Sequence, residues 1–110
     1  MTWVKLDDNF PTHPRVIGLS DRTFRTHVTA LCYCAKYLTD GHVPSSALRA
    51  IGPRKSAREL EDAGLWSKTD HGWVIRDFLD YNPSRDEVEG KREAARKRVA
   101  RAREVRANNA

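Results

Sequence analysis

Long apolar runs are missing from this 110-residue sequence. No stretch approaches the roughly 18 hydrophobic residues that a membrane-spanning helix needs. The opening Met1-Thr2-Trp3-Val4-Lys5 lacks the basic-then-apolar layout of a secretory signal, so a cytoplasmic location is expected. Cysteine is scarce: Cys32 and Cys34 are the only two. Two positions apart on a helix, they would diverge by about 200°, which excludes a disulfide between them and disfavours a shared metal site. Packed or half-packed core positions are expected for both. His13, His27, His42 and His71 stand at no zinc spacing from them. Neither a Gly-rich phosphate loop nor a serine or cysteine nucleophile with a histidine motif is present. Asp7, Asp8, Asp77 and Asp80 fall in turns or at strand ends, as solvated carboxylates do. The expectation is a protein that is not an enzyme and uses no metal and no cofactor.

What the sequence has is positive charge, unevenly placed. The net charge of +5 is concentrated at one end. From position 91 onward, Lys91, Arg92, Arg96, Lys97, Arg98, Arg101, Arg103 and Arg106 face only Glu93 and Glu104, leaving +6. The remaining 12 basic and 13 acidic side chains leave −1 over residues 1–90. Such asymmetry points to a polyanionic partner. The length suits one modest domain, here 1–83, followed by a basic helical tail over 84–110.

Local patterns predict an α+β, mainly helical chain. Residues 2–6 read as a short strand closed by Asp7-Asp8-Asn9. Thr12 can cap a short helix carrying Val16, Ile17 and Leu19. Ser20 or Asp21 then caps the strongest helix, whose apolar stripe is Phe24, Val28, Leu31, Ala35 and Leu38, widened by Ala30, Cys34 and Tyr37. It stops at Asp40-Gly41. After the extended His42-Val43-Pro44, a brief helix through Ala47, Leu48 and Ile51 breaks at Gly52. A second runs from Pro53 to about Ala63, with Ala57, Leu60 and Ala63 inward, and Gly64 ends it. Two short helices with a glycine turn between them outline a helix-turn-helix. The strand-like runs Leu65-Trp66-Ser67-Lys68 and Trp73-Val74-Ile75-Arg76 flank a polar turn and predict a β-hairpin, the wing of a winged helix. The N-terminal strand would complete that small antiparallel sheet. Trp3, Trp66 and Trp73 are spaced to cover one core, and Phe78, Leu79 and Tyr81 return to it before Asn82-Pro83. Ser84 caps the last helix, packed at its start and frayed at its end.

Arg54, Lys55 and Arg58 share one face near the start of the second short helix. Helix-turn-helix proteins read base edges with those positions. The two arginines can pair with guanine, and Ser56 can contact a base or a phosphate. Glu59, Glu61 and Asp62 would tilt the other end of this helix away from phosphates. Lys68 and His71 on the hairpin can follow a backbone or minor groove. The eight tail cations add phosphate contacts, which give affinity without choosing a sequence. The partner expected is double-stranded DNA. The tail also leaves RNA or a protein open as targets, and oligomeric state stays open, a homodimer included. A protein-interaction adaptor, favoured by the acidic residues 59, 61 and 62, is the alternative from another class.

Three stretches carry a family resemblance. Trp3-Val4-Lys5-Leu6-Asp7 opens the chain, Asp40-Gly41-His42-Val43-Pro44 and Ala63-Gly64-Leu65-Trp66 bracket the two short helices, and Gly72-Trp73-Val74-Ile75-Arg76-Asp77-Phe78-Leu79-Asp80-Tyr81 leaves the hairpin. Together these resemble the N-terminal winged-helix domain of phage replisome organisers and related helix-turn-helix proteins of actinobacterial phages. The resemblance implies binding of duplex DNA in replication initiation or transcription control, with host replication proteins as further partners. Two departures stand out: the stretch from Gly52 to Gly64 is shorter than usual, and the basic tail stands where that family carries a domain for contacting a helicase or its loader.

Overall fold

Caps and turn residues cut the chain into short elements. The computed structural model describes residues 3–82 and 84–108, and of Asp80 and Tyr81 the backbone alone. In order they are α1 (Asp21–Tyr37), β1 (His42–Pro44), α2 (Leu48–Ile51), α3 (Arg54–Asp62), β2 (Trp66–Thr69), β3 (Gly72–Ile75), α4 (Phe78–Tyr81) and α5 (Arg85–Asn108). Single 3-10 turns precede α1 (Phe10–Thr12) and α2 (Ser45–Ala47). The chain is α+β, with one three-stranded antiparallel sheet ordered β1-β3-β2. Among the described residues no helix is long and apolar enough to cross a membrane.

The third strand is not the one the sequence pattern predicts. Residues 3–7 form no strand, and His42–Pro44 pairs with β3 instead, Val43 opposite Trp73. Pro44 lacks the N–H a central strand would need but is tolerated on this edge. At Gly72 (φ +156°) the two backbones come so close that a Cβ would lie 2.8 Å from Ser45 N and 2.9 Å from Pro44 Cα. The N-terminal segment has no regular structure and is tied to the body by Lys5 N–H, which donates to Asn82 Oδ1 at 3.1 Å. Trp3 is 81% exposed, so only Trp66 and Trp73 of the three tryptophans are in the core. Thr2 and Pro83, which belong to the predicted strand and to the predicted chain break, lie outside the described residues.

The short helix expected after Thr12 is replaced by tight turns. Pro11 and Pro14 supply no N–H, and bonds such as Val16 N to His13 O (2.8 Å) and Leu19 N to Val16 O (3.0 Å) close the segment. Val16 alone of its apolar residues is buried, while Ile17 is exposed.

α1 begins where expected, with Ser20 Oγ accepting from Thr23 N–H, and Leu38 in the left-handed region ends it. Its buried face is centred elsewhere than the apolar stripe. Thr23, Thr26, His27, Ala30, Leu31 and Cys34 are buried, whereas Phe24, Val28 and Ala35 are half-buried and Tyr37 is exposed. Internal hydrogen bonds make this possible. Thr26 Oγ1 donates to Arg22 O (2.9 Å), and His27 Nδ1 accepts from Trp66 Nε1 (3.0 Å). A buried polar group with its bond made costs little. The two thiols point apart as expected, but the core position expected for both is corrected for Cys32: Cys34 is buried and Cys32 exposed, on the outer side of α1.

The core lies between α1, α3 and the inner face of the sheet, built from Leu31, Val43, Leu60, Trp66, Trp73 and Ile75 among others. Trp66 and Trp73 meet with centroids 6.1 Å apart at 48°, a tilted pairing favourable for aromatic quadrupoles. Phe78 joins this core, but Leu79 is 52% exposed; the side chain of Tyr81 lies outside the described residues.

α5 is capped by Ser84 Oγ, which accepts from Glu87 N–H at 3.2 Å, and Asp40 Oδ1 accepts from Arg85 N–H at 2.7 Å. Beyond this tie no α5 residue is buried, and the helix continues to Asn108 rather than fraying. At 1.5 Å per residue it extends about 36 Å. The radius of gyration, 18.3 Å, exceeds the roughly 13 Å of a compact chain of this length because α5 projects from the body.

Candidate nucleic-acid interface

The position of α3 follows from what its inner face must bury. Ala57 and Leu60 are fully enclosed, and Ser56 beside them accepts from Thr23 Oγ1 of α1 at 3.0 Å. Gly52, at the corner between α2 and α3, lies so close to α1 that a Cβ there would overlap the side chain of Thr26. With that side committed to α1 and the core, Arg54, Lys55 and Arg58 are left exposed on the opposite side. Ser56 is corrected: it is 3% exposed and bonded internally, so it has no surface to offer a base or phosphate. Pro53 is the N-cap rather than the first helical residue, and no side chain caps the helix start.

Two further arginines converge on this corner. Arg22 from the first turn of α1 and Arg49 from α2 line, with Arg54, an open cavity of about 470 Å³. Among the described residues no carboxylate lines it. Pattern reading missed both because each belongs to a different helix and neither stands in a basic run. The available signal was local: Arg22 is two residues past the Ser20 cap, and Arg49 sits three residues before the glycine corner.

The hairpin is tied to the same corner. Ser45, another residue of that cavity, donates to His71 O through its N–H (2.9 Å) and its hydroxyl (3.1 Å). The loop itself is only Asp70-His71, with Thr69 paired to Gly72. Lys68 and His71 are both exposed, with Asp70 exposed between them.

The acidic half of α3 is largely engaged inside the protein. Glu59 Oε2 accepts from Ser20 N–H (3.2 Å) and Ser20 Oγ (3.1 Å). The Thr23 side chain beside it, then the Ser20 donors and the Lys55 charge, hold its carboxyl below the usual range against the effect of desolvation. Glu61 accepts from the Trp73 indole. Asp62 is the exposed acid of the three.

All eight tail cations are exposed along α5, Arg96 while paired with Glu93 at 2.7 Å. At about 100° per residue, Arg92, Arg96, Arg103 and Arg106 share one face, and Lys91, Lys97, Arg98 and Arg101 lie on the other. A straight helix cannot bring both sets to one duplex at once.

Among the described residues no group of three or more His, Cys, Asp or Glu is placed to hold a metal ion. A scan against protein-family models finds no match to this chain, and comparisons with curated proteins and with solved structures find none either.

Proposed function

We propose that this protein is a winged-helix domain that binds double-stranded DNA through the corner formed by α1, α2 and α3, with β2 and β3 as the wing. The element order helix, strand, helix, helix, hairpin supports the assignment. The observation that carries it is the exposed Arg54, Lys55 and Arg58, held outward by the burial of Ser56, Ala57 and Leu60 and joined by Arg22 and Arg49. In this reading the first turns of α3 enter the major groove. Arg54 and Arg58 supply the forked donors that match guanine, and Arg22 and Arg49 hold flanking phosphates. Lys68 and His71 reach the backbone beside the groove, and α5 adds phosphate contacts. The resemblance of three stretches to phage replisome organisers supports a role in replication initiation or transcription control in a phage or prophage.

The adaptor alternative drew on Glu59, Glu61 and Asp62. Two of those three carboxylates accept hydrogen bonds within the protein, which removes most of its support.

Fluorescence anisotropy with random and selected duplexes at two salt concentrations tests the proposal. Replacing Arg54 and Arg58 by Ala is expected to cost about 1–3 kcal/mol for each base pairing removed on the selected site, and less on random DNA. Replacing Arg22 and Arg49 should weaken both duplexes alike and reduce the salt slope by roughly 0.9 for each phosphate released. Absence of binding at low salt would refute the proposal. Equal weakening on both duplexes for Arg54 and Arg58 would show that α3 does not read bases.

A further inference from the structure

Away from the arginine corner, at the opposite end of α3, a second cavity of about 330 Å³ opens beneath the N-terminal segment. This is within the size range of small-molecule sites. Its apolar walls include Phe10, Val16, Leu31, Leu65 and Phe78. Three long-range hydrogen bonds hold the walls together: Lys5 N–H to Asn82 Oδ1 (3.1 Å), Arg15 Nη1 to Gly64 O (3.4 Å) and Arg76 N–H to Leu65 O (2.9 Å).

His27, 3% exposed, also lines this cavity. Its ring stacks on Phe10 with centroids 5.3 Å apart at 17°, which fixes its plane. Because the Trp66 indole can only donate, the His27 nitrogen facing it must be the acceptor. The neutral ring therefore carries its proton on Nε2. That N–H has no hydrogen-bond partner among the described residues. His27 is one of the residues that line this cavity, which makes Nε2–H the donor that a molecule in the cavity can meet. At the rim stand the cations Lys5, Arg15 and Arg76 and the acids Asp7 and Asp77, all exposed, a balance of one positive charge.

We propose that this cavity binds a small monocarboxylate with an apolar, aromatic-sized body. The body covers the wall between Phe10, Leu31 and Phe78. The carboxylate accepts from His27 Nε2–H and from the rim guanidinium groups, where charge-assisted bonds are strongest. Asp7 and Asp77 select against dianions, and the single excess rim charge fits one carboxylate. The proposal stands independently of DNA binding.

The test is a ¹H–¹⁵N titration of the full chain with 3-phenylpropanoate and, separately, with its neutral amide. The Trp66 indole N–H reports the site, because it donates to the histidine that meets the ligand. The Trp73 indole, bonded to Glu61, is the internal control. A saturable Trp66 shift with the carboxylate, about tenfold weaker binding of the amide and a still Trp73 are expected. Arg76→Gln, a surface change that leaves the core intact, should weaken the carboxylate several-fold and the amide hardly at all. No saturable shift, equal binding of acid and amide, or Trp73 moving as far as Trp66 would each overturn the proposal. The experiment contains no DNA, so its failure leaves the reading of the arginine corner untouched.

Discussion

Adding one methyl group at Gly52 tests how the arginine corner is held. The backbone there is extended (φ 173°, ψ −180°), so alanine meets no conformational strain. The obstacle is Thr26 across the helix contact. A new Cβ would overlap Thr26 Oγ1 and sit 2.6 Å from its Cγ2 and 2.9 Å from its Cβ. Carbon atoms prefer about 3.5–4.0 Å. Thr26 is 1% exposed and its hydroxyl is bound to Arg22 O, so it has little room to turn away. Overpacking of this kind costs about 1–3 kcal/mol. Restricting the unfolded chain returns about 0.4–1 kcal/mol. Gly52→Ala is therefore expected to destabilise by about 1–2 kcal/mol, read as a lower urea midpoint at unchanged m. In a Thr26→Ala background the two nearest atoms are gone and the penalty should at least halve, a coupling that a double-mutant cycle isolates. Because Gly52 and Arg54 line the same cavity, the variant should also weaken duplex binding. An unchanged or raised midpoint, or a penalty undiminished in the Thr26→Ala background, would refute the reasoning.

Two other predictions concern charge. His27 is buried neutral, and desolvation lowers its pKa from 6.5 to about 4. The unfolded chain then takes up the proton first, so stability is full above pH 6.5 and falls as pH drops towards about 4. The decrease across that window is about 3 kcal/mol. Denaturation followed against pH, with imidazole shifts by NMR, checks it; an unperturbed titration of His27 in the folded protein would contradict it. For α5, neutralising Arg92, Arg96, Arg103 and Arg106 together and neutralising Lys91, Lys97, Arg98 and Arg101 together should change the salt slope unequally. If, as proposed, one set meets a duplex, its removal lowers the slope by up to roughly 3.6 and removal of the other changes it far less. Equal change per charge from both sets would mean that α5 acts only as diffuse charge.

Much of the fold is legible in the sequence because local chemistry agrees with it. Gly52, Pro53 and Gly64 mark the limits of α3, Ser20 and Ser84 cap their helices, and the hairpin falls around Asp70-His71. Pattern and structure part where tertiary contacts outweigh local preference. Trp3-Val4-Lys5-Leu6 has strand-like residues, yet the edge of β3 is taken by His42–Pro44, which α1 delivers there directly. The buried face of α1 is centred away from its apolar stripe because Thr23, Thr26 and His27 look polar in a sequence and act as core once their bonds are made. At the candidate site, the cations of α3 can be read from their spacing. Arg22 and Arg49 cannot, since only packing brings three helices to one corner. Ser56 departs from its expected role for the same reason, its hydroxyl being the link to Thr23.

The two cationic regions differ in what they can discriminate. At the corner, Arg22, Arg49 and Arg54 project from three separate helices that the Thr23–Ser56 bond and the Gly52 contact hold in fixed relation. A rigid set of donors can favour one base pattern over another, because a misplaced fork leaves its hydrogen bonds unmade. α5 is tied to the body by the Asp40 cap and buries none of its residues, and its charges point to more than one side. Such an array can follow a phosphate backbone in many registers but cannot tell one sequence from another. Specificity should therefore survive removal of the α5 charges while affinity falls. A change in the preferred site of a protein stripped of those charges would mean that α5, and not the α1–α3 corner, reads the DNA.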